Sequence, residues 1–211
     1  MRNLSRNEAA RLLRERDSFL ILTHRRPDGD TLGSAAALCI GLRLIGKQAW
    51  VLRNPEVTER FEWLTDGLTI REAPEHVFII STDVASPGML PPAFAHLANS
   101  IALRIDHHAS STSFARQELV EADSASCAEI VWEVLRQLQC PMNIPMMSAI
   151  YVGISTDTGC FRFANTTAHT FQTAAACATV GVNIYRLNQE LFEINTLERL
   201  RIQAWIVEHL E

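Results

Sequence analysis

The chain has 211 residues, 47% of them hydrophobic, and a formal net charge of -5. That length suits one large domain with a sizeable core, and the acidic balance excludes nonspecific nucleic-acid binding through a basic surface. No apolar run approaches the ~18 residues of a membrane span. The five cysteines, Cys39, Cys127, Cys140, Cys160 and Cys177, form no CxxC pair. They read as packing residues rather than a disulfide framework or a zinc knuckle.

In chain order, residues 3–16 read as an amphipathic helix with Leu4, Ala9, Leu12 and Leu13 inward. Its polar, Arg-rich character is not that of a secretory signal, so a cytoplasmic protein is expected. Phe19 to Thr23 is an apolar strand. A turn, His24-Arg25-Arg26-Pro27-Asp28-Gly29-Asp30, follows, and then a helix to about Ile45, stopped by Gly46. Ala49 to Leu52 is a second strand and Phe61 to Leu64 a short helix. Val77 to Ile80 is an apolar strand ending on Ser81-Thr82-Asp83. A Pro-rich stretch leads to a short helix, then to a strand from Ile101 to Ile105 that ends on Asp106-His107-His108. A helix spans about 126–139. An apolar run from Ala149 to Ile154, strand or helix, ends at Asp157. Phe161 to Phe163 reads as extended, and helices follow near Thr167, at 183–192 and at 196–210.

Strands alternating with helices predict an α/β fold, a doubly wound and mostly parallel sheet flanked by helices. Ligands of such sheets gather at the carboxyl ends of the strands. Four apolar runs here end on acidic or imidazole groups: His24, Asp28 and Asp30; Asp83; Asp106, His107 and His108; and Asp157. A lone Asp after a strand caps a helix, and Asp28 and Asp30 alone would be read so. Together these groups exceed what one metal ion needs. Carboxylates and imidazoles without thiolate suit Mn²⁺, Mg²⁺, Fe²⁺ or Zn²⁺ in a catalytic rather than a structural role. Two divalent ions ~3.5–4 Å apart, sharing a carboxylate, form the arrangement that cleaves phosphate esters, by acidifying a water and neutralising charge on phosphorus and the leaving oxygen.

Four motifs now stand in order: His24-x-x-Pro-Asp28-Gly-Asp30-x-x-Gly33-Ser34, Asp83 after a strand, Asp106-His107-His108, and Gly153-Ile-Ser-Thr-Asp157-Thr-Gly159. In these the sequence resembles the DHH phosphoesterase family over most of residues 19–170. Ala125-Ser126-Cys127-Ala128-Glu129 and Phe161 to Thr167 are most similar to the bacterial oligoribonuclease (nanoRNase) subgroup. Its members degrade very short RNA, and some dephosphorylate 3′-phosphoadenosine 5′-phosphate. The resemblance implies one metal on His24, Asp28 and Asp83, and a second on Asp30, Asp83, His107 and Asp157, with Asp83 bridging. Mn²⁺ is the first choice for both, then Mg²⁺ or another divalent ion. It also implies His108 facing the scissile phosphate as hydrogen-bond donor or general acid, and Asp106 orienting a His. Ser34 and Gly33 would offer phosphate donors at a helix N-terminus.

Two positions depart from the family pattern: Ser111 stands where Asn is common and Met89 where the subgroup has Arg. Both bear on substrate contacts rather than on metal ligands. Arg162 either binds substrate phosphate or pairs with a ligand carboxylate. Residues 1–190 are expected to be the catalytic domain and 191–211 a linker helix toward a C-terminal substrate-binding domain outside this chain. Trp205, with Leu200, Ile202, Ile206 and Leu210, would face that domain or a second copy in a homodimer. The expected function is dinuclear-metal hydrolysis of short oligoribonucleotides or nucleotide phosphates. The alternatives are a DHH-type inorganic pyrophosphatase, a cyclic-dinucleotide phosphodiesterase and a metal-binding module without turnover.

Overall fold

The structure, a computed structural model, describes residues 2–110, 112–194 and 197–210. Ser111 lies outside the described residues. Among the described residues, seven strands, β1 (Arg2–Asn3), β2 (Phe19–Leu22), β3 (Ala49–Leu52), β4 (Thr69–Ile70), β5 (Phe78–Thr82), β6 (Leu103–Asp106) and β7 (Gln117–Val120), form one sheet in the order β1-β7-β6-β5-β2-β3-β4. Every pairing is parallel. The helices are α1 (Arg6–Glu15), α2 (Gly29–Leu44), α3 (Glu59–Glu62), α4 (Cys127–Gln137), α5 (Ile144–Asp157), α6 (Ala168–Val180), α7 (Ile184–Asn188) and α8 (Leu197–Glu208).

Alternation along the strands builds a core on each face of the sheet. Phe19 and Ile21 of β2 pack with Ile80, Leu103 and the apolar residues of α2 and α4. Leu20 and Leu22 pack on the opposite face with Ile79, Val84, Leu90, Phe94 and Ile101. That second face is covered by 3₁₀ turns at Pro87–Met89 and Pro92–Ser100, not by long helices. α2 is buried almost all round, which an apolar helix without a polar stripe requires. The run left open between strand and helix is α5. Its uniform apolar character reflects burial between helices, and it starts with Asn143 as cap and Pro145 in its first turn.

The α2–α5 contact depends on missing side chains. A Cβ on Gly33 would strike the Ala149 carbonyl. A Cβ on Gly153 would strike the Ala128 Cβ and come within 2.9 Å of Asp30 Oδ1. Gly153→Ala is therefore expected to destabilise the fold by about 1–3 kcal/mol, the usual cost of overpacking, as a lowered urea midpoint at unchanged slope.

Three short strands escaped the sequence reading: β1, β4 and β7 are two to four residues long and lack an apolar run. The expected extended piece at Phe161–Phe163 is instead a turn. Gly159, Cys160 and Phe161 have φ of +55°, +58° and +63°, a short left-handed stretch. The Thr158 hydroxyl accepts the Phe161 N–H at 3.1 Å, and the Thr158 carbonyl accepts those of Arg162 and Phe163. These local bonds hold two non-glycine residues where each costs ~1–2 kcal/mol. On α8, Leu200, Ile202, Trp205 and Ile206 are exposed. No helix among the described residues is long and apolar enough to cross a membrane.

Candidate active site

Strand order reverses between β2 and β5, the neighbouring central strands. Doubly wound sheets bind ligands at such a point, beyond the carboxyl ends of the strands. The turn after β2 brings His24, Asp28 and Asp30 to it, β5 brings Asp83, and β6 brings Asp106, His107 and His108. Asp157 reaches the same place from the last residue of α5.

His24 Nε2 lies 3.7 Å from Asp28 Oδ1 and 3.5 Å from Asp83 Oδ2. His107 Nε2 lies 3.8 Å from Asp30 Oδ2, 3.5 Å from Asp83 Oδ1 and 3.5 Å from Asp157 Oδ2. These separations exceed ordinary hydrogen-bond lengths. The other ring nitrogen of each His faces a backbone carbonyl: His24 Nδ1 is 2.7 Å from Arg25 O, and His107 Nδ1 is 3.2 Å from Ser124 O. A neutral imidazole that donates from Nδ1 aims the Nε2 lone pair at the carboxylates. Lone pairs and carboxylate oxygens facing one another are stable only around a cation, a proton or a metal ion.

The donors fit divalent ions. His24, Asp28 and Asp83 place one ligand atom each within 4.8 Å of one another, and so do Asp30, His107 and Asp157. Asp83 belongs to the first group through Oδ2 and touches the second through Oδ1, a buried oxygen without a hydrogen-bond partner. Asp83, His107 and His108 form a third grouping, with one ligand atom each within 4.8 Å of one another. Its His108 Nδ1 is already held by Asp106 Oδ1 at 2.8 Å, so His108 serves that pair better than an ion. Oxygen and imidazole donors without thiolate suit hard or borderline divalent metals.

Local structure explains the placement. Asp28 caps α2, its Oδ1 accepting the N–H groups of Asp30 at 3.0 Å and Thr31 at 3.1 Å. Capping and facing His24 are thus functions of one carboxylate. Asp83 sits at φ +59°, a conformation Asp tolerates better than most residues, as the chain leaves β5. Asp106 Oδ1 also accepts the backbone N–H of His107 at 2.9 Å and of His108 at 3.3 Å, which fixes the start of the loop.

Burial and crowding shift the ionisations. Burial pushes Asp30 well above the usual carboxylate range, and the charges of Asp83, Asp157 and Asp28 add to it. Burial raises Asp157 to about 6, opposed by His107 and reinforced by Asp83 and Asp28. Burial opposes the charged form of His24, but Asp28 and Asp83 outweigh it and raise His24 to about 10. The hydrogen bond to Asp106 raises His108.

The metal-free protein accordingly has a defined pH response. A His raised from 6.5 toward 10 contributes stability that is full below 6.5 and lost as pH rises through 10. Asp157, raised from 3.8 to about 6, binds its proton more tightly folded than unfolded, so the fold loses stability as pH rises from 3.8 past 6. Both act in one direction. The metal-free melting temperature is expected to fall by several degrees from pH 5.5 to 9. Saturating Mn²⁺ should flatten or invert that slope, because ligand deprotonation favours the ion. A metal-free melting temperature that climbs with pH would contradict these ionisations.

Two expected substrate contacts are placed differently. Ser34 is fully buried and its Oγ donates to Asp30 Oδ1 at 3.3 Å, so the hydroxyl backs a carboxylate rather than facing a substrate. Gly33 is a packing position against α5. Arg162 is exposed and donates from Nε to Gly159 O at 2.6 Å, and it forms no ion pair with a site carboxylate among the described residues. Met89, the other departure, gives its carbonyl to the Arg25 N–H at 2.7 Å. Sequence reasoning missed Asn54, whose Nδ2 donates to Thr23 Oγ1 at 2.9 Å and His24 O at 2.8 Å, anchoring the turn. A signal existed: Asn54 follows a strand end, as the site aspartates do. It also missed Thr31, whose hydroxyl ties the turn to Thr82 O at 2.9 Å.

The family model described as "DHH family, N-terminal domain" matches residues 18–154. The chain belongs to the DHH family. A relative from Thermus thermophilus, named bifunctional oligoribonuclease and PAP phosphatase NrnA, is 30% identical over 175 residues, covering 81% of this chain and 52% of the relative. The DHH domain described here thus spans about half the length of that protein. Among solved structures, an exopolyphosphatase-related protein from Bacteroides fragilis superposes with a TM-score of 0.87 at 18% identity, covering 98% of this chain and 65% of the other. The exonuclease RecJ bound to manganese superposes with a TM-score of 0.55 at 16% identity, covering 91% of this chain and 56% of the other. Both confirm the fold of the DHH domain.

Proposed function

We propose that this DHH domain is the catalytic part of a two-metal phosphoesterase acting on short oligoribonucleotides or nucleotide phosphates. The observation that carries the reading is Asp83, one carboxylate shared between two ligand groups at the sheet's switch point. His24, Asp28 and Asp83 would hold one divalent ion, and Asp30, Asp83, His107 and Asp157 the other, with Mn²⁺ the first candidate. Bound there, the ions would supply Lewis acidity toward phosphate and a water activated at neutral pH. The protein's own contribution is positional. Backbone carbonyls fix the tautomers of His24 and His107. Asp106 holds His108 by Nδ1, leaving Nε2 as the donor toward a phosphate or leaving oxygen. The substrate class rests on the name of the Thermus relative, an oligoribonuclease and PAP phosphatase. A substrate-binding domain following residues 191–211, as in a protein of about twice this length, completes the proposal.

The test is a parallel assay of the purified chain with Mn²⁺ against an RNA dinucleotide, 3′-phosphoadenosine 5′-phosphate, pyrophosphate and a cyclic dinucleotide. Release from the first two supports the proposal. Release from pyrophosphate or the cyclic dinucleotide alone overturns the substrate class, and bound metal with no turnover of any substrate overturns the claim that this chain is catalytically competent.

A further inference from the structure

One short segment, residues 124–128, supports two of the three donors of one ligand group, Asp30 and His107, through its main chain. Ser124 O faces Nδ1 of His107 at 3.2 Å. The N–H groups of Cys127 and Ala128, at the start of α4, donate to the two oxygens of Asp30 at 2.7 and 2.9 Å. The remaining donor, Asp157, comes from α5, a separate helix with its own packing. Its link to the segment is a side chain that belongs to neither ligand group. Asn165 Nδ2 donates to Ala125 O at 3.0 Å and to Asp157 O at 3.2 Å. The Ala125 peptide is held from its other side as well, since its N–H donates to Glu129 Oε2 at 3.2 Å.

We propose that Asn165 is a positioning residue for the Asp30–His107–Asp157 group, tying the Asp157 end of α5 to the segment that seats the other two donors. An amide is suited to this, because one NH₂ offers two N–H bonds to two carbonyls at once. Neither hydroxyl nor carboxylate at 165 can do so. The His24–Asp28–Asp83 group has different supports: the Arg25 carbonyl, Asn54 and the Thr31–Thr82 tie. Loss of Asn165 would therefore act on one ion and spare the other. This rests on the two-ion reading above.

The experiment is calorimetric titration of Mn²⁺ into the wild-type chain, Asn165→Asp and Asn165→Ala, with melting curves of the metal-free forms. Asn165→Asp keeps the shape and removes the donors, and the position is exposed, so neither variant opens a core void. Both variants are expected to bind one ion as the wild type does and the other roughly 10–100-fold more weakly, the usual effect of removing a residue that supports a metal ligand. Metal-free melting temperatures should stay within a degree or so of each other. Two ions bound with wild-type affinities in both variants would overturn the positioning role alone. An equal weakening of both ions, with a lowered metal-free melting temperature, would also overturn it, as a general structural effect. A wild type that binds a single ion would overturn the two-ion reading and the selectivity assigned to Asn165 with it.

Discussion

Asp83→Ala is expected to lose both metal ions and with them more than about 10³-fold of any hydrolytic rate. The reason is geometric. Asp83 Oδ2 is 3.5 Å from His24 Nε2 and its Oδ1 is 3.5 Å from His107 Nε2, so no other carboxylate of the cluster faces both imidazoles. Truncation also removes a charge that raises Asp30 and Asp157. It also removes a partner that raises His24, so the two electrostatic changes oppose each other in the metal-free variant, and Ala at a φ of +59° costs ~1–2 kcal/mol besides. Asp83→Asn separates the two effects, since Asn tolerates the left-handed region and carries no charge. Full Mn²⁺ occupancy of either variant, counted by metal analysis after gel filtration, would sink the bridging assignment.

His108→Ala is expected to behave oppositely. It should keep both ions and lose ~10²–10⁴-fold in rate, the usual contribution of a positioned proton donor. Its Nδ1 is engaged by Asp106 and its side chain is partly exposed, so the two ligand groups assigned to the ions do not use it. Asp106→Asn should give a milder version of the same loss. The amide keeps an acceptor oxygen but loses the charge that strengthens the bonds from the His108 ring and the two backbone N–H groups. The pH–rate profile should shift with it: Asp106 is what chiefly raises the His108 ionisation, so the alkaline limb, where His108 gives up its proton, should move to lower pH. Weakened Mn²⁺ binding in His108→Ala would instead make His108 a ligand.

The clustered His and Asp side chains were legible because they sit at strand ends, and strand ends are marked by an abrupt change from apolar to polar residues. Leu22 to His24, Ile80 to Asp83 and Ile105 to His107 each show that change. The fold class followed from the same alternation. The supports were illegible for a different reason. Asp30 is held by main-chain N–H groups ninety-seven and ninety-eight residues away, and His107 by a main-chain carbonyl seventeen residues on. Backbone groups are the same in every residue, so no sequence pattern advertises them. Ser34 shows the converse. A hydroxyl at a helix start invites a phosphate, but this helix lies under α5, and burial turned the hydroxyl toward Asp30. The left-handed stretch at 159–161 was missed because only Gly159 signals it, while Cys160 and Phe161 adopt a conformation their side chains disfavour.

The two ligand groups also differ in when they exist. His24, Asp28 and Asp83 lie within the first 83 residues, on loops after the adjacent central strands β2 and β5. The other group needs Asp157, and the segment at 124–128 that seats it. Chains emerge from the ribosome amino end first. On the two-ion reading, the first group's side chains are therefore synthesised, and could take up an ion, while the other group is still unmade. A metal captured early would hold the β2–β5 junction in register while β6, β7 and α5 are added to it.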